Sequence, residues 1–466
     1  MARKWHQRLA LGAAAIVILL GRGWGAHRQV HYEDALAVAA VRSQGWWASL
    51  DDVGYGVVIQ VTLVRLVAWL PPEVWSVMLF AVATAVWTSC AIVVAEAVRR
   101  ATDRPVAGWL AGVSVVLVPL PELAGQGRVI NVLWPLFVAA AIVIGLDVMP
   151  RSRMGQVVGV MGLALVAASS PAAVAFVPVL AWRVARRPGR ATITSLLAVV
   201  AGAAVSLAIN VGQDPPLGYL GRWVPDTPYE IAVRDRLEGA GAAGRRPAGL
   251  ASLPEVLAAI PGSAKYVAAT FVPEPWQSDW ILVTSSAGNG VRLGVVLLVL
   301  ALPWLVDRRR SASATRRGSL QLVTLALLAV AVPLVINGSV QSRQYVIAPM
   351  MLLAIACVVA LAGVTHRGRD AAPAGPAVVL LLGAVYGALV WGTFRDPFRE
   401  TLHRDRAGTY APHGAWNDAL AEGRRRCRGA AVSDVVVISQ YPDRDPDADF
   451  PVLIRCGEIG GGWQGG

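Results

Sequence analysis

The sequence predicts an all-α polytopic membrane protein of about eleven transmembrane helices, with a small α/β extracytoplasmic region at the C-terminus, and three observations predict it. The first is composition. Of 466 residues, 55% are hydrophobic and 15% are charged, and the mean hydropathy is +0.53. A soluble fold of this length has no interior large enough for that much apolar surface, so most of its solvent is lipid. The second is patterning: apolar residues come as separate runs of roughly 16 to 22, near what a helix needs to cross about 30 Å of hydrocarbon, and not as the alternating ten-residue segments of a barrel. The third is the placement of arginine between those runs, which sets a topology.

The first element, Met1 to Trp24, has Arg3, Lys4 and Arg8 before the apolar run Leu9 to Leu20. These are also the charged and apolar parts of a signal peptide, but no small-x-small cleavage site stands clearly after them. The stretch therefore reads as an uncleaved first span with its N-terminus inside. The expected spans are 9–24, 74–98, 105–120, 131–148, 155–169, 171–184, 191–210, 291–306, 319–336, 345–363 and 377–393. With the N-terminus inside, the cytoplasmic loops carry Arg99, Arg100 and Arg104, then Arg151 and Arg153, then Arg183, Arg186, Arg187 and Arg190. Further along they carry Arg308 to Arg310 with Arg316 and Arg317, then Arg367 and Arg369. Every short inside loop is basic, while the short outside loops near Glu122 to Asn131 and Asn337 to Tyr345 hold a single Arg each, as the positive-inside rule requires. An odd number of spans then leaves the C-terminus extracytoplasmic. The pair 155–169 and 171–184, split by Ser169, Ser170 and Pro171, reads either as two short spans or as a hairpin that does not fully cross; both return the chain to the same side.

The domain division follows. Residues 1–393 form the transmembrane domain, with a first extracytoplasmic loop at 25–73 and a large one at 211–290. Within the first loop, Val53 to Leu70 is apolar but carries Gln60 and Arg65 and ends at Pro71 and Pro72, which predicts an interfacial helix. Residues 394–466 form the small C-terminal domain, with β-like runs at Asp434 to Gln440 and Phe450 to Cys456. Cys427 and Cys456 fall in this exported tail, where a disulfide between them is expected. Cys90 and Cys357 lie inside spans and read as small apolar fillers. The composition, rich in Ala, Val, Gly and Arg with almost no Lys, resembles that of high-GC bacteria, so the expected location is the bacterial plasma membrane.

Several function classes are excluded or left without support. The formal charge of +12 comes from arginine clusters between apolar runs, not from a basic face, so no nucleic-acid partner is expected. No P-loop, dinucleotide fingerprint, nucleophile elbow or metal-ligand spacing stands in a suitable context, and no cofactor is expected, although the acidic pairs leave room for a divalent cation. The chemistry-bearing residues lie in the outside loops. His31-Tyr32-Glu33-Asp34-Ala35-Leu36 sets two carboxylates near the outer face, where either can serve as a general base for an acceptor hydroxyl; the same pair also reads as acids at a helix N-terminus. Ser49-Leu50-Asp51-Asp52-Val53-Gly54-Tyr55 holds a second acidic pair, with Asp52 placed as an N-cap. Pro121-Glu122-Leu123 with Gln126, Arg128 and Asn131, and Gln341-Ser342-Arg343-Gln344-Tyr345, each set a guanidinium and amides at the mouth of a span. Such an Arg can hold a phosphate bidentately or meet lipid headgroups.

These pieces, in this order, resemble the GT-C superfamily of membrane glycosyltransferases, in particular protein mannosyltransferase-like and aminoarabinose-transferase-like members and an uncharacterised actinobacterial branch. The resemblance lies in Glu33-Asp34-Ala35-Leu36; in Trp46 through Leu70, with Asp52-Val53-Gly54-Tyr55 and Arg65; in Asn131-Val132-Leu133-Trp134; in Arg343-Gln344-Tyr345-Val346-Ile347-Ala348-Pro349; and in the tail Trp416 to Cys456. Two departures stand out: the acidic pair runs Glu then Asp where the superfamily has Asp then Glu, and Gln344 separates Arg343 from Tyr345. The resemblance implies a GT-C-like fold and an inverting transfer of a sugar from a polyprenyl-phosphate donor to a lipid or polysaccharide acceptor of the cell envelope, at the extracytoplasmic face. It implies Glu33 or Asp34 as the catalytic base and Asp52, Tyr55, Arg128, Arg343 and Tyr345 as substrate-binding residues. Two rival readings are a lipid-linked-sugar transporter or flippase, and a non-catalytic envelope scaffold. The assigned spans hold few acids, with Glu96 and Asp147 near their cytoplasmic ends, which counts against ion-coupled transport.

Overall fold

Helices α1 (Ala2–Arg22), α2 (Val58–Ala68), α3 (Trp75–Thr102), α4 (Pro105–Leu117), α5 (Leu133–Leu146), α6 (Arg153–Ser169), α7 (Phe176–Arg186), α8 (Arg190–Asn210), α9 (Ala314–Asn337) and α10 (Gln344–Thr365) pack side by side. They are followed by a small unit of α11 (Trp416–Arg426), β1 (Val435–Ile438), β2 (Val452–Arg455) and α12 (Cys456–Ile459). The computed structural model describes residues 2–22, 30, 34, 38, 58–117, 128–150, 152–210, 231, 254, 314–337, 344–365, 380, 383, 416–438 and 452–459. Within these the chain is mostly helical with one small sheet. The run expected at 291–306 lies outside the described residues, as does 377–393 apart from Leu380 and Gly383.

Long apolar runs leave these segments no other way to satisfy their backbone than as helices, since each peptide group then finds its partner within the segment. Several hydroxyls bond one turn back: Thr102 to the Val98 carbonyl at 2.8 Å, Ser114 to Leu110 at 2.7 Å and Ser195 to Ala191 at 2.8 Å. The helices also expose large apolar side chains on their outward faces, among them Met154 at 74% and Val106 at 69%. A surface of that kind suits an apolar partner, whether lipid or protein. Among the described residues, the helical stretch Pro72–Thr102, with mean hydropathy 2.3, is the one long and apolar enough to cross a membrane by length and composition; Trp5–Gly21, Pro105–Leu117 and Ile347–Gly363 are shorter apolar helices.

Small residues set how closely the helices approach. Gly108 and Gly112, one turn apart on α4, face Ala91, Ala95 and Arg99 of α3. A Cβ at Gly108 would meet the Ala95 carbonyl at 2.6 Å, and one at Gly112 would meet the Ala91 carbonyl at 2.8 Å. This is the small-xxx-small packing that lets two helix backbones touch where lipid offers no hydrophobic drive to association. Gly202 of α8 makes the same kind of approach to the Ala164 carbonyl of α6. Phe137 of α5 stacks on Phe176 of α7 with ring centroids 4.7 Å apart.

Short connections fix the directions of the helices. The turn Asp103-Arg104 links the end of α3 to the start of α4, and Arg8 of α1 lies 3.5 Å from Glu96 of α3. At the same end, α5 stops at Asp147, whose φ of 57° is left-handed. Val148 N–H bonds back to the Val143 carbonyl at 3.2 Å, closing a Schellman-type cap. Arg183 of α7 binds the Asp147 carboxylate at 3.2 Å, the Gly145 carbonyl at 3.1 Å and the Gln321 side chain of α9. Ser152 then starts α6 by accepting from the Gly155 N–H at 3.1 Å. The arginine-rich connections thus gather at one end of the bundle, called here the basic end.

The region 155–186 is helix α6, a 3₁₀ stretch Pro171–Ala175 and helix α7. Ser170 is extended, and Pro171 both breaks α6 and opens the next turn. Helix α2 has 11 residues, about 16 Å long at 1.5 Å per residue, far short of a bilayer. It buries Gln60, Val61, Val64 and Val67 against the bundle and leaves Leu66 and Trp69 exposed.

The C-terminal unit has its own core. Strands β1 and β2 pair antiparallel in register from Val435↔Arg455 to Ile438↔Val452. Helix α11 lies on them with Leu420 fully buried, and Gly423 is needed where Ile438 crosses, because a Cβ there would collide with its Cδ1. Cys427 and Cys456 are disulfide-bonded, Cα atoms 5.2 Å apart, which ties the end of α11 to the start of α12. The unit docks on the corner between α2 and α3. Trp416 is fully buried, donates its indole N–H to the Pro72 carbonyl at 2.6 Å and stacks on Trp75 at 5.9 Å, and Arg424 pairs with Glu73.

Candidate functional site

Away from the basic end, the turn before α5 and helix α2 bring together several buried polar groups, Asp34, Gln60, Arg128, Asn131, Ser169 and Ser170. The chain re-enters the described residues at Arg128, and Val129 to Val132 make a tight turn in which Asn131 N–H bonds the Arg128 carbonyl at 3.3 Å and Val132 N–H bonds Val129 at 3.1 Å. That turn leads into α5. The first N–H groups of such a segment have no partner of their own. One of them, Val129 N–H, is taken by the carboxylate of Asp34, whose Oδ2 accepts it at 2.9 Å across a sequence separation of 95. Asp34 is only 2% exposed. It anchors the turn before α5 from a distant part of the chain, by a charge-assisted hydrogen bond to the N–H of Val129, the N-cap residue of the turn Ile130–Val132.

This bond brings the loop carrying the acidic pair to the loop carrying Arg128. Arg128 is 7% exposed and Asn131 is equally buried, so a carboxylate, a guanidinium and a carboxamide come to the same turn in surroundings sheltered from water. Charged groups interact far more strongly there than at a wet surface. Helix α2 packs against the same turn and against α6. Its first described turn is held by Ile59 N–H donating to Ser169 Oγ at 2.9 Å. Ser169 and Ser170, at the end of α6, are buried, and Gln60 is 1% exposed with neither amide atom bonded among the described residues. A buried carboxamide without a partner is costly, so this is a position where a water or a polar ligand group is stabilising.

Of the residues expected from the sequence to carry function, Asp34 and Arg128 are therefore brought together. Tyr345 falls in the first turn of α10. Glu33, Asp52, Tyr55 and Arg343 lie outside the described residues. Gln60, Ser169 and Ser170 were not expected as site residues. The signal for Gln60 was present, as a polar residue inside an apolar run; that for the serines was the break they make before Pro171. Among the described residues no group of three or more His, Cys, Asp or Glu is placed to hold a metal ion.

No protein-family model matches the chain, and no curated protein matches it. Among solved structures it is similar to the oligosaccharyltransferase of Archaeoglobus fulgidus in the apo form, at 13% identity and a TM-score of 0.43. The match covers 91% of this chain but 58% of that one, so the chain spans little more than half the length of this neighbour.

Proposed function

We propose that the protein is an integral membrane glycosyltransferase that moves a sugar from a polyprenyl-phosphate donor to a cell-envelope acceptor at the extracytoplasmic face, with inversion at the anomeric carbon. The observation that carries this reading is the Asp34 to Val129 hydrogen bond, which joins the acidic loop to the Arg128 turn at the end of the bundle away from the arginine-rich connections. A transfer from a lipid phosphate needs both partners of that junction: a base for the incoming hydroxyl and a cation for the departing phosphate.

In this reading the donor enters sideways from the bilayer, with Arg128 and Arg343 facing its phosphate. Asp34 is committed through one oxygen to the Val129 amide and positions the loop, so the neighbouring Glu33 accepts the proton of the acceptor hydroxyl. That oxygen forms its bond to the anomeric carbon from the face opposite the phosphate. The anomeric carbon to phosphate oxygen bond breaks, and polyprenyl phosphate leaves with the electron pair. Asp52, Tyr55 and Tyr345 bind the sugar in this scheme, and Gln60 offers its amide to a sugar hydroxyl. No cofactor enters the scheme.

The test is turnover of a lipid-linked sugar by the purified protein in nanodiscs, comparing wild type with Glu33→Gln, Asp34→Asn and Arg128→Gln. Glu33→Gln abolishes transfer with donor binding retained, Arg128→Gln weakens donor binding, and Asp34→Asn, whose amide oxygen still accepts from Val129, keeps partial activity. Donor bound by wild type but transferred to none of a panel of acceptors would sink the reading and move it to a transporter or scaffold.

A further inference from the structure

The basic end holds an arrangement that the transfer chemistry does not use. Glu96 of α3 is surrounded by three guanidinium groups. Arg99 donates to both of its oxygens, at 2.8 Å and 3.0 Å, Arg100 donates at 2.8 Å, and Arg8 of α1 lies 3.5 Å away. Three cations on one carboxylate leave a surplus of positive charge. Asp103, which also attracts Arg99, is offset by Arg104 in the next position, so the surplus survives the wider count.

Beside this cluster α1, α3 and α4 leave a shallow open cleft of about 30 Å³. Its polar lining is Gln7, Arg8, Glu96, Arg99 and Trp109, and Leu11 and Ile92 are apolar lining beside them. Helix α4 begins at Pro105, also on the cleft wall, so the positive end of that helix adds to the field. The cleft adjoins an apolar surface, with Leu9 of α1 and Val106 of α4 exposed beside it. A net positive lining despite Glu96, apolar lining beside it and an apolar flank together fit an amphiphile. The guanidinium groups are already held by Glu96, so little side-chain freedom is lost when an anion arrives.

From these features we infer that the cleft between α1, α3 and α4 is a binding site for a phosphate ester, supplied by the headgroup of an anionic glycerophospholipid. The phosphate meets Arg8 and Arg99, Gln7 and Trp109 donate to the headgroup, and an acyl chain runs down the apolar flank. Surface cations near a bilayer each favour an anionic lipid by about 1 kcal/mol, roughly fivefold. Because the site involves neither Asp34 nor Arg128, it stands or falls separately from sugar transfer.

The experiment uses the full chain in nanodiscs of phosphatidylglycerol and phosphatidylcholine in equal amounts, extracted into mild detergent, with retained lipid counted by native mass spectrometry. Wild type retains phosphatidylglycerol preferentially. Arg8→Gln lowers that preference about fivefold, Arg100→Gln lowers it in the same direction, and Arg424→Gln, in the C-terminal unit, leaves it unchanged. Thermal unfolding of each variant separates loss of the site from loss of the fold. Equal retention of the two lipids by wild type overturns the inference, as does a preference untouched by both Arg8→Gln and Arg100→Gln. Millimolar inorganic phosphate that binds at the cleft while no lipid preference is seen assigns it to free phosphate and overturns the lipid source.

Discussion

At the scale of single residues, the Asp34 carboxylate is the most consequential contact in the molecule. It satisfies a backbone N–H that would otherwise be buried without a partner, and it does so from 95 residues away. Asp34→Ala should cost about 1 to 3 kcal/mol, the penalty for leaving such a donor unpaired. Asp34→Asn should cost less, because an amide oxygen still accepts; unfolding temperatures of the two variants in the same detergent check the order. Gln60 presents the opposite case, a buried amide with no bond among the described residues. Gln60→Leu should leave stability unchanged or raise it by about 1 kcal/mol, since an apolar side chain of similar size removes a desolvated polar group. A clear fall in unfolding temperature would show that the amide has a stabilising partner. These two residues also mark where the sequence stops being legible. Glu33-Asp34 reads as an acidic pair near a membrane face, but which oxygen is engaged by Val129 is decided by a contact between distant loops. Gln60 reads as a sign of an interfacial helix, and its burial depends on α6 arriving from more than 100 residues downstream, as the Ile59 to Ser169 bond at a separation of 110 shows.

At the scale of elements, the helices were readable because their apolar runs are long and their ends are punctuated. The run expected at 155–169 is helix Arg153–Ser169, and the one at 191–210 is Arg190–Asn210. Where the reading blurred, at 171–184, two conformations follow one another: a 3₁₀ stretch after Pro171 and then helix Phe176–Arg186. Hydropathy sees one run there and has no means to divide it. Packing partners were not legible either. That Gly108 and Gly112 press on α3, while Gly162 meets nothing within 4 Å, is a property of the assembled bundle. It separates two substitutions of the same residue type. Gly112→Val should destabilise by about 1 to 3 kcal/mol as the added atoms force α4 off α3. Gly162→Ala should be neutral or stabilise by about 0.5 to 1 kcal/mol, through reduced freedom of the unfolded chain. Thermal unfolding in detergent, with far-ultraviolet circular dichroism to confirm helix content, distinguishes them.

At the scale of the whole molecule, the charged groups of the described residues separate to two ends of the bundle. Guanidinium clusters with Glu96 and Asp147 occupy one end; Asp34, Arg128 and the docked C-terminal unit occupy the other. The unit is held in two ways, internally by Cys427 to Cys456 and externally by Trp416. In the loop-entropy description a disulfide at a separation of 29 contributes about 3 to 4 kcal/mol, so Cys427→Ser should make the unit susceptible to protease while the bundle stays helical. Trp416→Ala should act differently: the unit keeps its own fold but loosens from Pro72 and Trp75. Limited proteolysis then releases an intact C-terminal fragment from Trp416→Ala and a degraded one from Cys427→Ser.

The Trp416 anchor has a further consequence for the order in which the molecule is made. The Pro72 carbonyl leaves the ribosome 344 residues before the indole that it receives. At about 5 to 20 residues per second, that carbonyl waits on the order of 20 to 70 s for its partner. During that interval the corner between α2 and α3 lacks the indole that stacks on Trp75. Arrival of Trp416 covers it, so this contact forms only once synthesis has run to residue 416.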